Sequence, residues 1–432
     1  IIYHFTKNKI YSIISSFIFL LSPILLYRLP MHMGLTGQWI ILASFFVETI
    51  KKEKARFYYW ILILSISSLI HFYFTFMLSL IYTIFVFDRF LINKRILKSI
   101  KEILLPFSFL LFTMYLAGYF EIPLTDTLGF GFGYYKANLL SFFNPGPISS
   151  GATPSNFSWS NFLPSIPTGR GEYEGFGYLG LGGIILLILL FFYFIKGEPF
   201  LNFKKNRPYY LLVVIFFAIA ISSTINFGSF VLLDFTLPKL LYAPLSVIRV
   251  SGRFIWPIYY LIFIVGLVLI YKKIKIKKNA LLILIIILFI QIVDISSGLK
   301  NYVNSKIFLR SEKFILNDPI WNLISKDFQI IRITYLKNSP NVLPLTAGIL
   351  LNGNFKKTDI FALGRINRKK ASIYRNKTYE HFRNNKLDKN TIFIINNKNH
   401  LRNLKFLFEE SNNGFFYRNN LWILIPNYKN KM

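Results

Sequence analysis

The sequence contains no cysteine, so disulfide bonds and metal sites with thiolate ligands are excluded. Acidic residues are also scarce, since 19 Asp and Glu stand against 50 Lys and Arg, which gives a formal net charge of +31. The 5 histidines show neither the HxH nor the HExxH spacing of common zinc sites. We therefore predict no metal site among the residues of this sequence.

Apolar residues dominate what is present. The chain is 54% hydrophobic and 18% aromatic, with a mean hydropathy of +0.46. Soluble domains rarely have this composition, which is typical of a polytopic membrane protein. Lys, Ile, Asn and Phe are abundant together, as an AT-rich coding sequence would make them, so the net charge is weak support for a nucleic-acid partner. We expect membrane lipid as a partner and no nucleic acid.

Nine apolar segments are candidates for membrane-crossing helices, which need roughly 20 mostly apolar residues. They are Ile10–Tyr27, Gly37–Ile50, Phe57–Ile70, Phe72–Ile92, Ile103–Phe120, Phe176–Ile195, Tyr209–Leu232, Phe254–Tyr271 and Ala280–Ile295. The third and fourth form one apolar run that is too long for a single crossing. We therefore predict two helices that meet near His71.

The connections between these segments alternate in charge. Four of them carry four or five basic residues each: Lys51–Arg56, Arg89–Lys101, Lys196–Arg207 and Lys272–Lys278. The others carry at most three: Arg28–Thr36, the turn at His71, Glu121–Gly175 and Leu233–Arg253. The positive-inside rule makes the basic set cytoplasmic. Nine crossings then place the N-terminus in the cytoplasm and the C-terminal part outside.

The C-terminal part has a different character. We predict a transmembrane helical domain over residues 1–296, with a large outer loop at 121–175, and a small extracytoplasmic α/β domain over 297–432. Its expected strands are Gln329–Leu336, Asp359–Leu363, Thr391–Ile395 and Leu421–Pro426. GFFYRNNLWILIP predicts a terminal hairpin around Arg418-Asn419-Asn420, and Asp318-Pro319 predicts a helix start. The fold class is mainly α.

The candidate site residues all lie in the predicted outer loops or at their edges. Ionisable groups at a membrane edge are candidates for function, and here they share one side. They are Arg28, His32, Gln38, His71, Asn138, Glu172, Glu174, Arg249 and Arg253. Arg249 and Arg253 would share a helix face, which suits a phosphate or lipid head groups equally. Arg28 could instead extend to the interface from a helix end, and both histidines could be satisfied interfacial residues.

GEYEGFGYLGLGG places Glu172 and Glu174 next to an apolar run. Like-charge repulsion between them would raise one pKa and give a general acid or base. Alternatively, one pairs with Arg170 and the other caps the next helix. The glycines that follow fit a helix-packing face better than a phosphate loop, because no GxxxxGK[ST] pattern accompanies them.

Four stretches carry a family resemblance. RLPMHMGLTGQWIIL, SSLIHFYFTFML, NLLSFFNP and GEYEGFGYLGLG resemble an uncharacterised family of bacterial polytopic membrane proteins, classed as a domain of unknown function. That family is similar to the GT-C glycosyltransferase superfamily, with many membrane helices, large outer loops and often a soluble C-terminal domain. APLSVIRVSGRF also resembles the arginine-bearing loop of several GT-C-like proteins. The resemblance implies a bacterial plasma-membrane protein and a polyprenyl-phosphate-linked sugar as donor.

The resemblance also implies an acidic residue in the first outer loop, as base or metal ligand. The sequence begins Ile-Ile-Tyr-His without Met, and we expect an N-terminally truncated fragment. That loop, with any divalent metal it binds, would precede Ile1, so no residue present is assigned as the catalytic aspartate.

The resulting hypothesis is a membrane-embedded glycosyltransferase-like protein of cell-envelope glycan assembly. Glu174, Glu172 and His32 would be catalytic, and Arg28, Gln38, His71, Asn138, Arg249 and Arg253 would bind substrate. Two alternatives stay open: a transporter or flippase for lipid-linked sugars, and a non-catalytic envelope assembly protein.

Overall fold

A computed structural model describes residues 1–29, 32–127, 130–146, 158–304, 320–333, 355–359, 366–384, 386–388, 390–395, 413–418 and 421–426. The chain forms two compact units. The first comprises Ile1–Phe120 and Leu128–Ser305, and the second comprises Glu121–Thr127 and Lys306–Met432. A helix runs through the predicted domain limit at residue 296 and continues to Asn304.

The first unit is mainly helical. Its α-helices are α1 (Ile2–Thr6), α2 (Lys9–Leu20), α3 (Pro23–Leu26), α4 (Trp39–Glu48), α5 (Glu53–Ile70), α6 (Phe72–Asn93), α7 (Ile96–Leu116), α9 (Gly180–Ile195), α10 (Phe203–Ile221), α11 (Lys239–Ser246), α12 (Trp256–Lys273) and α13 (Lys277–Asn304); α8 (Leu124–Thr127) belongs to the second unit. Short 3-10 helices span Met33–Thr36, Tyr119–Glu121, Glu172–Gly175, Pro199–Leu201 and Ser251–Ile255, and a short strand, β1, spans Phe130–Gly133. As the sequence predicted, α5 ends and α6 begins on either side of His71.

Three helical segments in the described part of the chain are long and apolar enough to cross a membrane: Phe72–Asn93, Ser251–Lys273 and Lys277–Asn301. The chain is therefore compatible with a membrane protein, but the nine crossings that we predicted are not supported. Several of the other candidates form helices that are too short, since α2 has 12 residues, α4 has 10 and α9 has 16.

Two predicted spans are interrupted. The segment Tyr209–Leu232 leaves the helix after Ile221, at Ser222 with a φ of 61°, and continues as the strands β2 (Thr224–Phe227) and β3 (Phe230–Asp234). A short apolar run cannot be assigned to helix or strand by periodicity alone. The first span breaks before Pro23, which lacks an N–H and starts a new helix.

The core of the first unit forms around α12. In the segment Ser251–Lys273, 89% of the apolar window is buried. The two ends of α6 carry different polar side chains. Tyr73 lies in its first turn, and Arg89 lies near its last turn. Arg89 pairs there with Glu48 at 3.1 Å and with Glu102 at 3.2 Å. The rise between Tyr73 and Arg89 is about 24 Å.

Small residues bring α9 and α13 together. A Cβ on Gly180 would lie 2.2 Å from Gln291 Nε2, and one on Gly182 would lie 2.8 Å from the carbonyl oxygen of Ile287. The helix-packing function predicted for these glycines is therefore confirmed. Asp294 on α13 is fully buried and accepts hydrogen bonds from Tyr178 Oη (2.7 Å) and from the N–H of Leu181 (2.9 Å). Its carboxylate thus satisfies the N-terminal end of α9.

The second unit contains a five-stranded sheet, in the order β5 (Lys357–Thr358), β4 (Ile330–Ile333), β6 (Thr391–Ile395), β8 (Leu421–Ile425) and β7 (Gly414–Arg418). β4 is parallel to β5 and β6, whereas β8 is antiparallel to β6 and β7. The described helices are Ile320–Asp327 and Arg368–Arg383, besides α8. A sheet-containing C-terminal region and its last strand pair were predicted. The predictions for Asp318-Pro319, Asn419-Asn420 and most of Asp359–Leu363 fall outside the described residues.

Candidate functional site

Three predicted site residues from distant segments meet in one ionic cluster, which we call the arginine cluster: Arg28, Glu174 and Arg253. Glu174 Oε2 lies 2.9 Å from Arg28 Nη1 and 2.9 Å from Arg253 Nη2. Arg253 Nε also donates to this oxygen at 3.2 Å, and Arg28 Nη2 donates to the Glu174 carbonyl oxygen at 3.2 Å. All three residues are buried. One carboxylate therefore serves two guanidinium groups.

Two 3-10 turns bring these side chains together. Glu174 lies on the turn Glu172–Gly175, and Arg253 lies on the turn Ser251–Ile255 that leads into α12. A Cβ on Gly252 would lie 2.6 Å from the Cα of Gly175. A Cβ on Gly175 would lie 2.3 Å from the carbonyl oxygen of Lys136. Only glycine permits such close backbone approach, so the two glycines set the spacing of Glu174 and Arg253.

Charge interactions dominate the protonation of this cluster. Burial alone would raise the pKa of Glu174, but Arg28 and Arg253 outweigh it and lower the pKa to about 2. Burial lowers the pKa of Arg28, which Glu174 opposes, and a guanidinium remains charged in proteins. The cluster therefore carries a net charge of about +1, since two cations share one anion. The lowered pKa of Glu174 is opposite in direction to the raised pKa that we considered for a general acid.

Aromatic rings surround the two arginines. Arg28 Cζ lies 4.8 Å from the ring centroid of Tyr27 and 5.7 Å from that of Trp256, and Arg253 Cζ lies 4.6 Å from that of Tyr73. Such cation–π contacts stabilise a guanidinium where water is scarce. Tyr73 Oη also accepts a hydrogen bond from the N–H of Val250 at 2.9 Å, which ties the start of α6 to the turn that carries Arg253.

His32 and His71 interact electrostatically with the arginine cluster. His32 is exposed, and partial desolvation lowers its pKa, with Glu174 opposing and Arg28 adding to the effect. His71 is half-buried; burial, Arg253 and His32 lower its pKa to about 4. His71 Nδ1 accepts the N–H of Tyr73 at 3.2 Å, so its remaining proton is assigned to Nε2. Both histidines are neutral at pH 7.

Lowering the pH should therefore destabilise the protein. The pKa of His71 is about 4 when folded, below the unfolded value of about 6.5, so stability is fully present above pH 6.5 and is lost as the pH falls towards 4. The expected slope is at most roughly 1.4 kcal/mol per pH unit. Thermal unfolding between pH 7 and 4 would measure it. His71→Asn keeps an N-cap acceptor and should show a shallower slope; parallel curves for both proteins would contradict the assignment.

Glu172 and Asn138 form a second buried network beside the arginine cluster. Glu172 Oε1 lies 3.2 Å from Lys136 Nζ, and its Oε2 accepts from Asn138 Nδ2 at 2.8 Å and from the N–H of Gly169 at 2.9 Å. Asn138 also bonds both the N–H and the carbonyl of Gly228, at 3.0 and 2.8 Å. These contacts hold the loop together. The exposed Arg170 is not the ionic partner of either glutamate.

Gln38 and Arg249 take other positions. Gln38 is buried and bridges helices, with Oε1 accepting from Tyr260 Oη at 2.6 Å and Nε2 donating to the Ile24 carbonyl at 3.3 Å. Arg249 lies in the non-helical connection between α11 and the turn at Ser251, where Val250 has φ −118° and ψ 79°. The prediction that Arg249 and Arg253 share a helix face is therefore wrong, because Arg249 precedes the 3-10 turn Ser251–Ile255 that carries Arg253.

The sequence did not identify a lysine and two aromatic residues that contribute to the site. Lys136 was counted only as a loop charge, although it neutralises Glu172. Tyr73 and Trp256 were taken as membrane-helix residues, although each faces an arginine. Their place in the sequence could have identified these two aromatic residues. Each lies in the first turn of a helix that follows a candidate site residue.

No group of three or more His, Asp or Glu side chains that could hold a metal ion occurs in the part of the chain that the structure describes. The divalent metal implied by the resemblance is therefore assigned to none of these residues. A cavity of about 480 Å³ lies elsewhere, at the N-terminal ends of α5 and α7. It is lined by Glu53, Lys54, Phe57, Leu97, Lys98, Lys101 and Glu102, and is separate from the arginine cluster.

The fold and the arginine cluster define a mainly helical protein with membrane-length helices and a buried ionic group between its inter-helix segments. A family model described as "Domain of unknown function (DUF6311)" matches residues 1–296, and the chain belongs to this family. Neither the curated proteins nor the solved structures contain a match.

Proposed function

We propose that the arginine cluster binds the phosphate of a membrane lipid, and that the protein is a GT-C-like glycosyltransferase with a polyprenyl-phosphate-linked sugar as donor. The observation that supports this most is the sharing of one Glu174 oxygen by two buried guanidinium groups. A buried ion pair is weak support for stability, because desolvation offsets its attraction. A bound anion would neutralise the excess positive charge of the two arginines, which Glu174 alone does not balance.

The geometry of the arginines suits a phosphate. Each guanidinium has five N–H donors in a planar fork, and the bonds to Glu174 occupy two on each arginine. Charge-assisted hydrogen bonds from arginine to phosphate are among the stronger ones. The start of α6 at Phe72 adds a helix N-terminus, whose partial positive charge favours an anion. Glu174 then acts as a positioning residue that keeps both arginines charged and oriented.

The proposed reaction is displacement at the sugar. An acceptor hydroxyl oxygen forms a bond to the anomeric carbon, and the bond from that carbon to the phosphate oxygen breaks. The phosphate leaves with the electron pair, which Arg28 and Arg253 stabilise. The neutral, exposed His32 takes the proton of the hydroxyl. Glu172 supports the loop through Lys136 and Asn138 instead of reacting.

The proposed orientation follows from charge. The basic connections would lie in the cytoplasm, and the arginine cluster and the C-terminal region would lie outside a bacterial plasma membrane. The arginine cluster lies near Tyr73 at one end of α6, and the ion pairs of Arg89 lie at the other end. About 24 Å separates Tyr73 from Arg89 along the helix, so the two ionic groups fit opposite membrane surfaces. A role in cell-envelope glycan assembly would follow from that location.

A second candidate is a non-catalytic protein that binds the same lipid phosphate. It is favoured by the pKa of Glu174, which leaves this carboxylate without a proton to donate at neutral pH. The two candidates differ in the effect of His32→Gln. In an enzyme, the unmodified protein transfers sugar, and His32→Gln should lower kcat for that transfer without changing phosphate affinity. In a binding protein, neither the unmodified protein nor the His32→Gln variant transfers sugar.

Phosphate recognition can be tested with the full chain in lipid nanodiscs, using a polyprenyl monophosphate and the matching polyprenol as probes. We expect binding of the phosphate alone. Arg253→Gln should weaken it roughly 10- to 150-fold, the effect of losing about 1.5–3 kcal/mol from charged hydrogen bonds. Arg95→Gln, at an exposed position, is the matched control and should leave the Kd unchanged. Equal binding of the polyprenol, or an unchanged Kd for Arg253→Gln, would overturn the proposal.

A further inference from the structure

An exposed apolar hairpin leaves the helical bundle after α10. Its strands β2 and β3 are antiparallel, with Ile225 opposite Leu233, Asn226 opposite Val231 and Phe227 opposite Phe230. The pairing is irregular between Ile225 and Asn226, so Leu232 is an extra residue on β3. From residue 224 to 233 the sequence is TINFGSFVLL, which contains no charged residue.

Strand β3 exposes apolar side chains on both of its faces. All five of its residues are exposed, with Phe230 at 72% and both Val231 and Leu233 at 58%. Residues opposite each other in the ladder share a face, and successive residues of β2 alternate. Val231 therefore lies on the face of Asn226, whereas Phe230 and Leu233 lie on the other.

Such a hairpin needs an apolar environment. A two-stranded hairpin is marginally stable by itself in water, and contiguous exposed apolar surface marks an interaction site. A docked protein would cover one face of β3, whereas lipid covers both faces at once. The hairpin also continues the chain directly from α10, whose Val214 is 66% exposed, so its apolar surface follows that of the helix.

The depth of the hairpin is limited by its backbone. The outer edge of β3 is not paired with another described strand, and open sheet edges do not occur within the hydrocarbon region because their polar groups would lack partners. Polar side chains also close the end of the hairpin, where Thr224 Oγ1 donates to Asp234 Oδ1 at 2.8 Å. Both features fit the boundary between lipid head groups and acyl chains.

We propose that the hairpin Thr224–Asp234 is a membrane-interface anchor, with Phe230, Val231 and Leu233 inserted among the lipid head groups and the upper acyl chains. It is held to the rest of the first unit through Asn138, which bonds the backbone of Gly228 and the carboxylate of Glu172. Lipid would thus be bound close to the loop that carries Glu174. The proposal requires a membrane but does not depend on the transferase function.

The absence of native cysteine allows a direct test with single-cysteine variants of the full chain in lipid vesicles. Val231→Cys and Leu233→Cys report on the two faces and would carry an environment-sensitive fluorophore. Phe289→Cys, on α13, serves as the hydrocarbon control, and Lys377→Cys, at an exposed position on the helix Arg368–Arg383, serves as the aqueous control. Quenching is compared for iodide in water and for lipids spin-labelled either near the glycerol or at the middle of the acyl chain.

We expect both hairpin positions to be quenched most by the label near the glycerol and little by iodide, while Phe289→Cys responds most to the deeper label. Quenching of both hairpin positions by iodide alone would place the hairpin in water and overturn the proposal. Lipid quenching at only one of the two positions, or at neither with iodide also excluded, would show that protein covers the hairpin, and would overturn it as well.

Discussion

Replacing Glu174 with glutamine should destabilise the protein by about 3–5 kcal/mol, because it leaves buried guanidinium groups without their counter-charge. Both Arg28 and Arg253 direct donors at the same carboxylate oxygen, so neither has an alternative anion in the arginine cluster. Chemical or thermal unfolding in nanodiscs would measure the loss. At pH 7 the full effect should be present, since the pKa of Glu174 is about 2.

Glu53→Gln is the matched control, because it removes an equivalent charge from an exposed pair with Lys98. Exposed pairs contribute about 0–1 kcal/mol, so a small change is expected. The same Glu174→Gln protein should keep most of its affinity for polyprenyl phosphate, because the glutamine side-chain oxygen still accepts from both arginines and holds them in position. A loss of phosphate binding equal to that of Arg253→Gln would indicate that the cluster only supports the fold.

Gly175→Ala should separate the two turns that form the arginine cluster. The added Cβ would lie 2.3 Å from the Lys136 carbonyl oxygen and 2.4 Å from the Cα of Ala137. Both contacts are with backbone, which cannot move aside as a side chain can. Overpacking of this kind costs about 1–3 kcal/mol. Because Glu174 and Arg253 would move apart, we also expect loss of phosphate binding, measured with the polyprenyl phosphate probe.

Gly177→Ala tests whether close packing is the cause. It lies two residues further along the same loop, and its Cβ would approach its nearest neighbours, on Ile255 and Ser141, only to 3.4–3.5 Å. These are ordinary van der Waals distances, so stability should change by less than about 0.5 kcal/mol and binding should persist. Equal damage from both substitutions would assign the effect to loss of glycine flexibility.

Part of this site could be predicted from the sequence. The alternation of strongly and weakly basic connections predicted Arg28, Glu174 and Arg253 on one side, and the structure brings these three together. Which acid pairs with which base could not be predicted, because residues 146 positions apart in the chain form the bond between Arg28 and Glu174. Local spacing suggested Arg170 as a partner, whereas tertiary contacts decide the pairing.

The fold was predictable to a similar extent. The helix break at His71 and the pairing of β7 with β8 follow from local sequence signals, namely an overlong apolar run and a turn between two apolar strands. The hairpin β2–β3 was missed, because TINFGSFVLL is as apolar as the helix before it. The close approach at Gly175 and Gly252 depends on two loops distant in sequence, and no local pattern signals it.

The burial of α12 has a consequence for how the protein responds to its surroundings. Bilayers of different thickness tilt or shift helices that face lipid. The helical segment Ser251–Lys273 is covered by the rest of the protein, since 89% of its apolar window is buried. Arg253 lies in the first turn of this segment. Protein packing therefore sets the height of Arg253, which should stay constant when lipid composition changes, while the more exposed α13 adjusts.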